Sequence, residues 1–439
     1  MIYILSIIFV LSMLVFFHEL GHFMFAKLFG VRVERFSIGF PPRLVGIKLG
    51  ETDYCISAIP FGGYVKMAGV VDESMDTSTL TGAPYEFASK RWWQKIIILV
   101  GGVTMNMILA WVLISSLLHF QGEPIVTSTT VGYVEAGGIS EKVGMQIGDK
   151  ILKINGQPVH NWNDVRDLYL ANLGDKIDFT VEHDGNIQQI IYSKNVLEQK
   201  NSDQLDIYPR LPAMVGDVVA GSPASKAGLE RGDQIVSIAG EPVNSWESMT
   251  KIVQANANKK IDFIIQRNGQ TLTKEITPEP ADEIGEDGTS HIVGKIGIGL
   301  YYEKNRLPFF HAFTEGFNRT IFYTDLNIKA LGWVVTGKKS AKEMLGGPIM
   351  ITKMAGQIAR TGFGDLLGFI AQLSIVLAII NVVPIPALDG GHIAIVLIEE
   401  IRRKPLSTAT KIKIQQVGMA ILFVLIIFVM YNDIMRLLS

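Results

Sequence analysis

The sequence predicts an α-helical membrane core with four transmembrane helices that carries two tandem α+β modules outside the membrane. Three observations predict it. Four long stretches contain no Asp, Glu, Lys or Arg, the segment between the second and third of them repeats itself without a gap, and the composition is too apolar for a soluble protein. Charged residues make up 19% of the 439, against about 25% in ordinary globular chains, and mean hydropathy is +0.29. At about 150 residues per domain the length leaves room for roughly three domains. The 40 Lys and Arg against 42 Asp and Glu give a formal charge of −2. That lacks the basic surplus needed to neutralise phosphates, so nucleic acid is not an expected partner. The lone Cys55 rules out an internal disulfide and a thiolate zinc site, leaving His and carboxylate to hold any metal.

The charge-free stretches are Met1–Phe17, Ile96–Phe120, Leu366–Leu388 and Ile414–Asn432. Alone or with their flanks, they reach the about 20 residues that cross a hydrocarbon core. The first lacks the basic start of a secretion signal and runs directly into His18-Glu19-Leu20-Gly21-His22, so a retained helix is expected. Charge near the membrane sets orientation. Residues 26–95 hold nine Lys and Arg and residues 389–411 hold four, whereas nothing basic precedes the first stretch and only Arg436 follows the last. Both loops are expected in the cytoplasm, and both termini and the long segment 121–365 on the other side, the periplasm in a bacterium. The expected order is a first transmembrane helix over 1–25, a cytoplasmic loop over 26–95, a second helix over 96–120 and exterior modules over 121–205 and 206–300. A segment over 301–365, a third helix over 366–388, a cytoplasmic loop over 389–411 and a fourth helix with a short tail over 412–439 follow.

Gly148-Asp149 aligns with Gly232-Asp233 at an offset of 84 (232 − 148), and the same offset maps Val131-Gly132 onto Val215-Gly216, Pro158-Val159 onto Pro242-Val243 and Trp162 onto Trp246. A tandem duplication is implied. Each copy reads as a strand, a small-residue turn, Gly-Asp, an alternating strand, a Gly-containing turn and a helix. With Ala227-Gly228-Leu229-Glu230-Arg231-Gly232-Asp233, this resembles the PDZ domain, in which a peptide adds as a strand and its carboxylate meets backbone N–H groups. The candidate peptide-binding loops are Val131–Val134, with Val131 and Gly132, and Val215–Val218, with Val215 and Gly216. The alternative is that both modules are spacers or steric covers that bind no peptide.

The chemistry is concentrated in His18-Glu19-Leu20-Gly21-His22, an HExxH motif. Its two histidines stand on one helix face about 6 Å apart along the axis, so they can share one zinc. Glu19 sits one residue round the helix, placed to take a proton from an activated water without being a ligand. Three ionisable groups in an apolar helix are costly unless paired or coordinated. A catalytic zinc takes three protein ligands and keeps an open position. Asp389, at the end of Asn381-Val382-Val383-Pro384-Ile385-Pro386-Ala387-Leu388-Asp389-Gly390-Gly391, is the candidate third. The first and third spans both run towards the cytoplasm, which puts His22 and Asp389 at the same depth. The alternative for Asp389 is a helix-end carboxylate near the interface. Pro384 and Pro386 break the helix, and irregular backbone at that depth is tolerated only where protein or a cavity surrounds it.

HELGH in the first span, Asn381 with Leu388-Asp389-Gly390-Gly391 in the third, and two PDZ-like modules between the second and third resemble the bacterial site-2 protease family, in particular its RseP-type intramembrane zinc metalloproteases. The resemblance covers nearly the whole chain. It implies one Zn2+ held by His18, His22 and Asp389, with Glu19 as catalytic acid and base. Asn381 is implied as a substrate-binding or transition-state-stabilising side chain. It also implies a membrane-reentrant β-hairpin over Val31–Met67, whose Gly62, Gly63 and Tyr64 contact substrate. Alternation in Ile47-Lys48-Leu49 and Tyr54-Cys55-Ile56-Ser57 around Gly50 is compatible with a hairpin, and the alternative is a cytoplasmic loop. Gly101-Gly102-Val103-Thr104-Met105-Asn106 resembles a motif of the family but has Gly102 where proline is usual. Residues 309–360 resemble amphipathic helices that lie on the membrane surface.

The implied activity is hydrolysis of a peptide bond in the membrane segment of a single-span protein, such as an anti-sigma factor or a signal-peptide remnant, after an upstream site-1 protease has removed its exterior part. The implied location is the bacterial inner membrane, in contact with lipid. Two other classes stay open: an inactive membrane scaffold, which the presence of Glu19 disfavours, and a zinc transporter, which the single metal motif disfavours. His119 is expected at the outer interface, His160, His183, His291 and His311 show no ligand spacing and are expected at exposed polar positions, and His392 is assigned no role.

Overall fold

Uninterrupted Ile, Leu, Val and Phe favour helix wherever no prolines intervene. The charge-free stretches accordingly form four helices long and apolar enough to cross a membrane: Ile2–Leu28, Trp92–Phe120, Phe363–Val382 and Thr408–Met435. In this computed structural model, which describes residues 2–70, 81–173, 175–193, 205–284, 290–337 and 346–438, the chain divides into two units, Met1–Gly122 with Arg306–Ser439, and Glu123–Asn305.

In the first unit the helices begin one to two turns before the expected starts at Ile96, Leu366 and Ile414, taking in flanking polar residues. The third stops at Val382, short of the expected Leu388, because Pro384 forces Val383 into extended backbone. After the turn 383–388, Asp389–Arg402 forms a further helix where a loop was expected. The core of this unit joins Ile7, Val10 and Leu14 of the first helix to Leu109 of the second, Leu366 and Ile370 of the third, and Ala355 of the helix Pro348–Thr361. The N-terminus of that last helix is capped by Asp433 of the fourth span, whose carboxylate accepts from Gly347, Ile349 and Met350 N–H at 2.9–3.1 Å.

The segment after the first helix is a sheet of two long strands, Val33–Leu49 and Thr52–Met67, turning at Gly50 with φ 61°. Ile47, Lys48 and Leu49 face Tyr54, Asp53 and Thr52 across the turn. Both strands bend. Ser37 has two partners, Cys55 on one side and Tyr64 on the other. The stretch 33–38 is therefore central, and Gly63–Met67 forms an edge.

The helix Phe309–Val335 departs from the expected surface-lying arrangement. It runs antiparallel along the second span, from Leu307 N–H on Leu118 O (3.1 Å) through Trp111 Nε1–H on Phe313 O (2.8 Å) to Thr324 beside Met107. Gly316 makes this possible, since a Cβ there would overlap Ser115. Ion pairs Glu315–Arg319 and Asp325–Lys329 neutralise its charges along one face.

In the second unit the repeat is visible as structure. Val131–Val134, Lys150–Ile154, Gln157–Pro158, the helix Trp162–Ala171 and the strands Ile177–His183 and Asn186–Tyr192 recur as Val215–Val218, Gln234–Ile238, Glu241–Pro242, Trp246–Ala255, Ile261–Arg267 and Gln270–Ile276. Each copy has the same four-stranded sheet order. Ile207–Pro209 pairs with Val131–Val134, and Ile298–Leu300 pairs with Val215–Val218. The expected boundary at 205/206 therefore cuts off the strand that closes the first module. Glu303–Asn305, expected with the later helices, pairs with Glu123–Ile125 in this unit.

The candidate peptide-binding loops are corrected here: both are strands. Val131 and Val215 are fully buried in the module cores, and Gly132 and Gly216 sit where the backbones of Arg210 and Leu300 leave no room for a Cβ. The duplication also places equivalent partners on the buried Gly-Asp carboxylates. Arg267 donates to both oxygens of Asp233 at 2.6 and 2.7 Å, and His183 meets Asp149 at 2.6 Å. His183 is therefore half-buried and paired, not a free surface position.

Candidate metal centre

Two helices cross at the HExxH motif because both present glycine there. A Cβ on Gly101 would lie 2.7 Å from Gly21 O, and one on Gly102 would lie 2.6 Å from both His18 Cε1 and His22 Nε2. Small residues let apolar helices approach backbone to backbone, and here the approach places the second span directly over the two imidazoles. The rings stand nearly perpendicular with centroids 4.8 Å apart, and their Nε2 atoms are 3.2 Å apart.

Asp389 arrives from the far side. Pro384 and Pro386 deny the third helix its continuation, Ala387 takes φ 81°, and Asp389 becomes the first residue of the next helix. Gly390 and Gly391 are needed for this turn, because a Cβ on either would overlap backbone at Val382–Val383 or Ile385. Asp389 Oδ2 lies 3.3 Å from His18 Nε2 and 3.4 Å from His22 Nε2. The ligand atoms of these three residues all lie within 4.8 Å of one another.

The donor chemistry fits a cation. His22 Nδ1 bonds the carbonyl of Ile98 at 2.9 Å, so it carries the proton and Nε2 presents a lone pair. Asp389 Oδ2 is buried and has no hydrogen-bond donor among the described residues. Asn106 lies 3.3 Å from His18 Nδ1, and its Oδ1 is buried without a partner among the described residues. A half-turn of this carboxamide, which exchanges two atoms of nearly equal size, lets Oδ1 accept from Nδ1–H. His18 then also points a bare Nε2 at Asp389. Three lone pairs converging with no proton between them are satisfied by a metal ion, and two imidazoles with one carboxylate form a catalytic zinc set.

These groups open onto a cavity of about 650 Å3. Glu19, Asn381, Gly62, Gly63 and Tyr64 line it as well, so the structure brings every candidate of the membrane unit into one space. Asn381 Nδ2 is 3.5 Å from His18 Nε2. A Cβ on Gly63 would stand 3.7 Å from Glu19 Cγ, which puts the sheet edge against the acidic residue. Tyr64 is held by Arg35, whose Nη1 donates to its hydroxyl at 3.0 Å while Nε donates to Asp53 at 3.2 Å. The candidate module positions Val131, Gly132, Val215 and Gly216 belong to the other unit.

Sequence reasoning missed Gly102, Arg35, His392 and Gln415 as members of this site. The paired glycines in an apolar helix and the glutamine in the last span were the available signals. Arg35 carried none, because its place depends on how the strands bend.

A family model described as Peptidase family M50 matches residues 6–425. The regulator of sigma-E protease RseP of Escherichia coli is 32% identical over 98% of this chain and 98% of its own length. The corresponding protein of Salmonella typhimurium is 32% identical over 98% of each. The zinc metalloprotease RasP of Oceanobacillus iheyensis is 31% identical over 99% of each.

Proposed function

The chain belongs to peptidase family M50 and is a metalloendopeptidase, and from that premise we propose that it cuts a peptide bond within or near the transmembrane segment of single-span proteins. One observation carries this reading: His18 and His22, on a helix apolar enough to cross a membrane, converge beside Glu19 with Asp389, which follows the turn that ends a second such helix. In this reading the three residues would hold one Zn2+, which when bound would polarise the scissile carbonyl and lower the pKa of a water towards about 7.

Glu19 acts as base and then acid. It removes a proton from the attacking water as the C–O bond forms, and delivers it to the nitrogen as the C–N bond breaks. Asn381 donates an amide N–H to the carbonyl oxygen as charge develops on it. A helical substrate hides its carbonyls in its own hydrogen bonds and must unwind first. The edge Gly63–Met67 takes the unwound segment as an added strand, replacing the bonds it loses. This assigns Gly62, Gly63 and Tyr64 to substrate binding and makes the sheet the membrane-reentrant element.

The two modules are PDZ-type domains on the periplasmic side, with both termini, in the inner membrane of a bacterium. They gate access either by excluding bulky ectodomains or by holding a new C-terminus. The sigma-E regulators among the relatives support an anti-sigma factor, trimmed beforehand by a site-1 protease, as the substrate; signal-peptide remnants form a second class. Reconstitution with a single-span substrate of short and long ectodomain tests this. Zinc-dependent cleavage of the short form is expected, and no cleavage of either form contradicts it.

A further inference from the structure

Gln415 lies on the fourth span, is 3% exposed, and has a side-chain NH2 with no partner among the described residues. It lines the catalytic cavity and also a second cavity of about 470 Å3 that shares Val70, Phe87 and His392 with the first. Its position is fixed. Gly418, on the same helix face, packs so closely on Pro386 that a Cβ would overlap the Pro386 carbonyl. The fourth helix is thereby pinned to the turn that delivers Asp389. A buried amide donor left without an acceptor is unfavourable, and the open side of this one is cavity.

The sheet edge points the same way. Met67 borders the first cavity, Gly69 borders the second, and Val70 borders both, so a strand added along 63–67 leads out of one and into the other. The second cavity differs in character. Lys95, Ser407, Thr408 and the Lys411–Glu399 pair at 2.7 Å stand among its walls. Such walls suit the polar residues that flank a membrane segment rather than its apolar middle.

We infer that the second cavity receives the extended part of the substrate on the water-facing side of the scissile bond, and that Gln415 donates to a substrate backbone carbonyl at the junction. An unwound chain offers such acceptors and an intact helix does not. This rests on the proteolytic reading above and makes Gln415 a positioning residue for the same reaction.

The test uses full-length protein in liposomes with a short-ectodomain single-span substrate. Gln415→Met should keep its zinc and its kcat within about twofold, while KM rises about fivefold, the scale of one lost neutral hydrogen bond. Gln415→Asn, which keeps the donor on a shorter stem, should recover part of that rise. Independently, a photocrosslinking side chain at Leu406, in the second cavity, should capture the substrate in a Glu19→Gln background that retains Gln415. An unchanged KM in Gln415→Met, or no Leu406 adduct, overturns the inference. Wild-type protein that cuts nothing overturns the proteolytic reading instead.

Discussion

Gly102 and His22 are separated by less than a side chain: a Cβ on Gly102 would stand 2.6 Å from His22 Nε2, the atom aimed at Asp389. Gly102→Ala must therefore displace either the ring or the helix. Overpacking of this kind costs about 1–3 kcal/mol, which predicts zinc affinity weaker by about 5- to 150-fold. Competition with a metal-binding dye in detergent checks it. Thr104→Ala on the same helix, whose hydroxyl only bonds Val100 O, should leave the affinity unchanged.

Asn106 acts through His18. Groups that orient a metal-binding imidazole typically change affinity about 10–100-fold when removed. Asn106→Leu should lower zinc affinity in that range, while Asn106→Asp, which retains an oxygen acceptor, should bind zinc more tightly than Asn106→Leu. The same dye competition reads both.

Tyr64→Pro removes one N–H from the edge strand that borders Glu19. Zinc content should stay near wild type, because none of the three converging ligands lies on the sheet. Cleavage of a single-span substrate should fall by more than about tenfold. Full cleavage by this variant would argue against strand addition.

In the second module, burial alone would raise the Asp233 carboxyl, but the Arg267 hydrogen bonds, the Glu230 N–H and the nearby positive charges outweigh it and hold it below the usual carboxylate range. Its folded value is thus below the unfolded one of about 3.9. The stabilisation is complete above about pH 4 and is lost as pH falls through the folded value. Arg267→Met leaves Asp233, 1% exposed, buried without its cation and should destabilise this module by about 3 kcal/mol at neutral pH. Pulse proteolysis of the full chain should show the loss in 211–300 and not in the first module.

The converging His18, His22 and Asp389 cluster was legible because local rules fix it. Helical periodicity puts His18 and His22 on one face, and loop charge puts Asp389 at the same depth. Proline chemistry ends the third helix where it does. The features that escaped depend on tertiary crossing. Gly102 reads only as a departure from a motif until the second helix is laid over the first, and Gln415 reads as one of two adjacent glutamines at the polar start of an apolar run. The closing strand of the first module was hidden for a simpler reason. Ile207 and Ile298, which begin equivalent strands, stand 91 apart (298 − 207) rather than 84, so the stretch leading to the closing strand is seven residues longer in the second copy, where Glu279–Ile284 and Ser290–Lys295 pair as a hairpin. A gapless repeat cannot see past an insertion. The helix Phe309–Val335 looked superficial because its charges are conspicuous in sequence and their neutralisation in pairs is not.

If His18, His22 and Asp389 hold a catalytic zinc for which Glu19 is the proton carrier, metal binding and cleavage separate at Glu19. Zinc content and cleavage of a short-ectodomain, single-span substrate are measured side by side for wild type and Glu19→Gln in liposomes. About one zinc per chain is expected in both and cleavage only in the wild type. A Glu19→Gln protein that still cuts, or a wild type that binds zinc and cuts nothing, would contradict these roles.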